Sequence, residues 1–182
     1  MRINPNNFSL SRQNYIKQLS LKNLATGKIV SIAGLPSTLS ALSPSWNPSE
    51  NKIAFYNVTT TAVDVWVIDI KTSTCTKINK SPVNIVLSSN LIWLDDATVL
   101  YKINSHTAAQ MNKKPITPKG PTIQESLGKV APSVTYQDLI KSPYDEYAFE
   151  FLATAQLVKN KAGVETKIGS PAITSSLDLS PD

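Results

Sequence analysis

Apolar and polar residues alternate in short bursts along most of this chain, and each burst closes on a cluster of turn residues. The clearest stretch is Ser45 to Ile78, SWNPSENKIAFYNVTTTAVDVWVIDIKTSTCTKI. Period-two alternation over roughly four to eight residues marks a strand with two distinct faces. The pattern predicts one strand ending at Trp46, a second over Lys52 to Asn57, a third over Val63 to Ile70 and a fourth over Cys75 to Ile78. The joints NPSEN, TTTA and KTST are turn chemistry, because Pro presets one backbone angle while Asn, Ser and Thr bond back to nearby backbone. Short strands joined by such tight joints pair in order, as a four-stranded meander.

The pattern recurs. LIWLDDATVLYKI, Leu91 to Ile103, lays over the first two strands with Trp93 on Trp46 and Asp95-Asp96 at the turn. The third and fourth strands reappear as ATAQLVKNKAGVETKI, Ala153 to Ile168, after an insertion over 105–152. Upstream, LSLKNLATGKIVSI, Leu19 to Ile32, matches the last two strands alone; downstream, SSLDLSPD, Ser175 to Asp182, matches the first strand and the opening of its turn. Four strands repeating every ~40 to 50 residues are the signature of a propeller blade.

The predicted fold is therefore mainly β, a partial β-propeller of two complete and two partial blades. Residues 45–78 and 91–168 make the full blades, 19–32 a half blade, 175–182 the first strand of the next, and 1–18 a poorly ordered or partial-blade lead-in. A closed propeller takes ~4 to 8 blades, so this is a piece of one. An open sandwich of sheets is the alternative that the same alternation supports.

The insertion changes character halfway. Its first half carries Pro115, Pro118 and Pro121, with Pro132 close behind, and reads as an extended loop. In its second half Thr135 to Asp138 has the form of a capping box, with Tyr136, Leu139 and Ile140 on one helical face. Ser142-Pro143 followed by Asp145-Glu146 is a stronger start: Ser caps, Pro suits the first helical position, and the acids favour the positive end of the helix dipole. Tyr144, Tyr147, Ala148 and Phe151 then form a stripe, predicting short helices near 135–151 with Leu139, Tyr147 and Phe151 buried.

Composition narrows the function classes. In 182 residues, 41% hydrophobic and 17% charged, there is material for a substantial core. The net charge of +5 comes from lysines spread along the chain, not from a stripe interleaved with Arg and aromatics, which argues against a nucleic-acid partner. No stretch reaches the ~18 apolar residues that span a bilayer, and MRINPNNFSLSR has no apolar signal core, so neither a membrane partner nor a localisation is assigned. Cys75 is the single cysteine and reads as a small buried hydrophobe.

The segments GPTIQES and TYQDLIKSPYDEYAFEFLATAQL, within Gly120 to Leu157, together with the blade text PSWNPSENKIAFYNVTTTAVDVWVIDI, resemble the propeller of prolyl-oligopeptidase-type serine peptidases, most closely the glutamyl endopeptidase branch. The likeness runs from about Leu19 to the end. It departs at the blade turn, where Asn47 to Lys52 carries Asn51 in place of a usual Gly, and at WLDDATV, which has neither Pro nor Gly.

Such a hydrolase displays its nucleophile on a Gly-x-Ser-x-Gly elbow. None of the glycines at 27, 34, 120, 128, 163 and 169 belongs to one. His106, the only histidine, opens the Pro-rich insertion and reads as a solvent-exposed loop residue, not a general base. One His and one Cys do not make a zinc site, and no Gly-rich phosphate loop is present. Asn7-Phe8-Ser9 and Asn57-Val58-Thr59 fit the glycosylation pattern, which chance supplies in a chain rich in Asn and Thr. Trp46 and Trp93, at equivalent blade positions, favour packing between blades over a carbohydrate platform. No catalytic, cofactor-binding or metal residue is assigned.

The resemblance implies the non-catalytic propeller portion of a serine peptidase. Its partner would be a C-terminal α/β-hydrolase domain of the same polypeptide, and it would gate peptide substrates. A stand-alone propeller used for protein interaction and a truncated gene product without function are the alternatives. Open blade edges also predict self-association.

Overall fold

The computed structural model describes residues 2–115, 140 and 142–180. Two four-stranded antiparallel sheets make the body. The first contains β5 (Ala41–Trp46), β6 (Lys52–Val58), β7 (Val63–Asp69) and β8 (Thr74–Lys77), paired in chain order. The second contains β9 (Ile92–Asp95), β10 (Thr98–Asn104), β11 (Thr154–Lys161) and β12 (Val164–Ile173), again in chain order. These are the two meanders expected from the alternation, consistent with a partial propeller. Two hairpins precede them, β1 (Ile3–Asn4) with β2 (Ser9–Leu10) and β3 (Leu21–Lys22) with β4 (Ile29–Val30). Within the residues expected as a lead-in, the first hairpin buries Phe8. Residues 175–180 pair with no strand among the described residues.

Strand alternation explains the stacking. In β6 the residues Ala54, Tyr56 and Val58 face one way, as do Val63 and Val65 of β7, and they pack against Trp93, Val99, Tyr101, Ile103 and Val158 of the second sheet. The odd residues of β6, Ile53 and Phe55, with Trp66 and Ile68, face the other way, toward Ile32, Leu19 and Leu21 around the β3–β4 hairpin. The central strand is thus apolar on both faces because a neighbour covers each. Cys75 lies in this second cluster, buried as expected, and desolvation pushes its thiol up to about 11.

The turns obey local rules, with one correction. In the β5–β6 turn the left-handed residue is Glu50, at φ 51°, not Asn51. Asn47 organises this turn by accepting from the backbone N–H of Asn51 (2.9 Å) and Lys52 (2.7 Å), leaving Glu50 the position where the chain must reverse. The β9–β10 turn manages without Pro or Gly because Asp95 accepts from Ala97 N–H at 2.7 Å and the Thr98 hydroxyl at 2.9 Å. Ala162 and Gly163, both at positive φ (51° and 83°), make the tight β11–β12 hairpin.

The insertion yields α1 (Pro143–Ala153), which runs straight into β11. The predicted cap is present: Ser142 Oγ accepts from Asp145 N–H at 3.2 Å, Pro143 opens the helix, and Asp145 and Glu146 occupy its first turn. The packed face differs from the expected stripe. Ala148, Leu152 and Ala153 are buried, with Leu152 at 2% exposure beside Phe8 and Val86, whereas Tyr147 and Phe151 are half-buried. The aromatics instead hold the start of the insertion. Tyr147 OH accepts from Asn112 N–H (3.1 Å), Tyr144 OH donates to Asn112 C=O (3.0 Å), and Phe151 stacks on His106 at 4.6 Å. The Thr135 to Asp138 box and Leu139 lie outside the described residues.

Candidate functional site

The seam between the two sheets holds a connected cluster of hydrogen-bonded polar groups. β12 places Glu165 beside the link that leaves β8. Its carboxylate accepts from Lys80 N–H (2.9 Å), Ser81 N–H (3.2 Å), Ser81 Oγ–H (2.5 Å) and the Tyr101 hydroxyl (2.9 Å). Asn160 completes the group. Its Nδ2 donates to the Ile78 carbonyl (2.9 Å) and to Tyr101 OH (2.8 Å), while its Oδ1 accepts from Gly163 N–H in the hairpin turn (2.8 Å). Burial by itself raises the Glu165 carboxyl, but the donors at Ser81, Lys80 and Tyr101 outweigh it and hold the group below its ordinary range. Tyr101, wholly buried, is raised by desolvation and by the carboxylate it serves.

A second clasp joins the blade turns. Asp96 accepts from Asn47 Nδ2 (2.8 Å), Ser49 N–H (2.9 Å) and the Ser49 hydroxyl, and Lys52 Nζ donates to the Asp96 carbonyl at 3.2 Å. Hydrogen bonds from Ser49 chiefly lower the Asp96 carboxyl. Between the clasps lies a cleft of about 300 Å³, floored by Val67, Ile78, Trp93 and Val99 and rimmed by Thr72, Thr74 and Thr76. The polar groups at its mouth already have partners: Asp69 accepts from Thr72 N–H at 3.0 Å, and Lys52 and Asn160 serve the clasps. The polar groups that line the cleft are thus taken up within its own turns and clasps.

The residues weighed in the sequence fall apart in space. His106 is half-buried against Phe151 instead of exposed, and Cys75 is buried among apolar side chains behind the other face of the first sheet. Among the described residues no three His, Cys, Asp or Glu side chains are grouped so as to hold a metal ion. Asn7 and Asn57 are buried and hydrogen-bonded, Asn7 Nδ2 to Thr59 C=O at 2.6 Å and Asn57 Nδ2 to Thr38 C=O at 3.2 Å, so neither is an accessible glycan acceptor. No described helix is long and apolar enough to cross a membrane.

The tryptophans part company. Trp93, 8% exposed, packs on the first sheet and donates to Ser45 C=O at 3.1 Å. Trp46, 53% exposed, sits opposite Ile53 on the face of the first sheet that carries the β3–β4 hairpin. Sequence reasoning missed the Glu165 clasp, because its parts lie far apart in the chain. The only local signal was Asn160 three residues before Gly163, a side chain that closes a tight turn.

The chain matches no protein-family model. It is 33% identical over 123 residues to a probable chloroplastic glutamyl endopeptidase of Arabidopsis thaliana, and equally so to one of rice, Oryza sativa subsp. japonica. Each match takes in 65% of this chain and spans 13% of the plant relative's length. These likenesses connect the chain to peptidases without fixing a family or a domain.

Proposed function

We propose that this chain is a non-catalytic propeller portion of a serine peptidase of the prolyl-oligopeptidase type, close to the glutamyl endopeptidases. In that role it packs against an α/β-hydrolase domain and restricts which peptides reach the catalytic serine. The observation that carries this reading is the 123-residue likeness to two plant glutamyl endopeptidases, borne by a chain folded as face-to-face meander sheets. The geometry supports it in a second way. Tight clasps at Glu165 and Asp96 fix one sheet against the next, as a rigid wall around an active site requires.

The helix stands at the other end of the second sheet from the Asp96 turn, because β10 runs from that turn to the insertion. That end, with α1 and the links between sheets, is the side on which this reading seats the hydrolase domain. The purified chain is expected to leave glutamyl peptides uncut and to take up no fluorophosphonate, a reagent that tags activated serines. Cleavage lost on His106→Ala, or a tagged serine, would overturn the non-catalytic assignment. A stand-alone interaction module, put in place of a relative's own segment, would instead leave long chains free to reach the catalytic serine.

A further inference from the structure

Helix α1 turns two chemically different faces to its surroundings. Ala148, Leu152 and Ala153 are buried in the core, which leaves Tyr144, Tyr147 and Phe151 half-buried along another face at helical spacing. Neighbouring ring centroids stand 6.0 Å and 5.8 Å apart, so the three rings form one continuous aromatic ridge. The chain's own residues 106–114 lie along this ridge, running opposite to the helix. His106 stacks on Phe151 at 4.6 Å, Asn112 N–H donates to Tyr147 OH, Tyr144 OH donates to the Asn112 carbonyl, and the Lys114 ammonium stands 6.0 Å from the Tyr144 ring.

The grip on Asn112 is a grip on backbone. Two phenols take the amide donor and the carbonyl acceptor of a single residue, whose own side chain makes neither bond. Every residue except proline offers the same pair of groups, so the ridge is indifferent to which side chain stands there. Met111, just before, has φ −71° and ψ 129°, the polyproline-like extension common in unfolded chains. The segment is held lightly. Residues 107–110 and 112–115 are exposed, and Met111, packed near Phe8 and Leu152, is half-buried. Among the described residues the remaining hydrogen bonds of 107–115 run within the segment, between Thr107 and Gln110 and from Met111 N–H to Ala108 C=O. Exposed hydrogen bonds of this kind exchange with water at small net cost.

We propose that the ridge of Tyr144, Tyr147 and Phe151 is a binding surface for extended peptide backbone, and that residues 106–114 are a removable strap that occupies it in a peptide's place. The ridge belongs to the end of the second sheet on which the proposed function seats the hydrolase domain. The inference rests on that reading for the source of the peptide, a stretch of unfolded substrate, and adds how the wall engages it. Because the strap is tethered at Asn104, where β10 ends, it competes at an effective concentration of about a millimolar. A free peptide therefore gains the ridge only as the strap lifts.

The test uses the whole chain. Asn112→Pro lifts the strap without altering the ridge, since it removes the N–H that Tyr147 accepts at an exposed position. The probe is a labelled, end-capped peptide of residues 106–115, titrated by fluorescence anisotropy. Asn112→Pro should bind it at least about fivefold more tightly than the wild type does. An N-methyl group on the peptide's asparagine, or Tyr147→Phe added to the protein, should each weaken that binding about five- to tenfold, the contribution of one hydrogen bond. Equal binding by the two proteins, binding by neither, or binding indifferent to N-methylation and to Tyr147→Phe overturns the proposal. Hydrogen exchange on the wild type gives a reading that depends on no variant. The Asn112 amide should be protected by less than about a hundredfold, as for a loop that opens readily. Stronger protection would mean a strap that stays shut, and overturns the proposal too. Neither measurement involves peptide cleavage, so failure here leaves the peptidase reading to be judged by segment exchange alone.

Discussion

Replacing Glu165 with Ala strips one acceptor from four donors at the seam between the sheets. Lys80 N–H is exposed and water replaces its partner at little cost. Ser81 loses two charge-assisted bonds in a partly wet setting, worth about 1–2 kcal/mol together once solvent screening is counted. The Tyr101 hydroxyl, wholly buried, keeps its bond from Asn160 but has nowhere to donate, which adds about 1–2 kcal/mol. The expected loss is about 2–4 kcal/mol, a large share of the ~5–15 kcal/mol that stabilises a typical domain. Urea unfolding followed by tryptophan emission reads it directly, since Trp93 lies in that seam. With a urea slope of about 1–3 kcal/mol per molar the midpoint should fall by about 1–2 M. Tyr101→Phe added to Glu165→Ala should cost less than the two singly, with a coupling of about 1–2 kcal/mol. A loss below about 0.5 kcal/mol, or strict additivity, would refute the clasp. The pH dependence has a definite sign. Because the folded Glu165 carboxyl lies below its unfolded value near 4.5, its stabilisation is fully present above that value and is lost as pH falls through the lowered folded value. The difference in stability between wild type and Glu165→Gln should therefore be flat above about pH 5.5 and shrink below about 4.5.

Other substitutions follow from the backbone and the core. At Gly34, φ 78°, an added Cβ would lie 2.5 Å from the Cys75 carbonyl oxygen, so Gly34→Ala should cost about 2–4 kcal/mol in the same urea assay. Ala162→Asn and Glu50→Gly each put a residue tolerant of positive φ where one is needed, and each should raise the thermal midpoint, by about 0.5–1 kcal/mol in stability. Leu152→Ala should cost about 2–5 kcal/mol, and Phe151→Ala clearly less, since the ring is only half-buried; equal costs would mean that the aromatic stripe does face the core.

The strands were legible because a sheet covered on both faces forces short continuous apolar runs, VWVI in β7 and IAFY in β6, each bounded by polar turn residues. The helix start was legible because Ser142, Pro143 and Asp145 act on their own first turn. Its packed face was not, since whether Tyr147 or Leu152 turns inward depends on Asn112 and Phe8, distant in sequence. Glu165 looks like any strand residue between Val164 and Thr166 until Ser81 is brought beside it.

The central claim, that this segment walls and gates a peptidase, is tested most directly by putting residues 41–173, which span both sheets, in place of the corresponding segment of the Arabidopsis glutamyl endopeptidase. Cleavage of a short glutamyl peptide and of an unfolded protein chain would then be compared with the parent enzyme. The account predicts that the exchanged enzyme still cuts the short peptide and still refuses the long chain, and that Glu165→Ala within the exchanged segment relaxes this refusal. An exchanged enzyme that degrades the long chain, or one whose refusal of it survives Glu165→Ala unchanged, would contradict it.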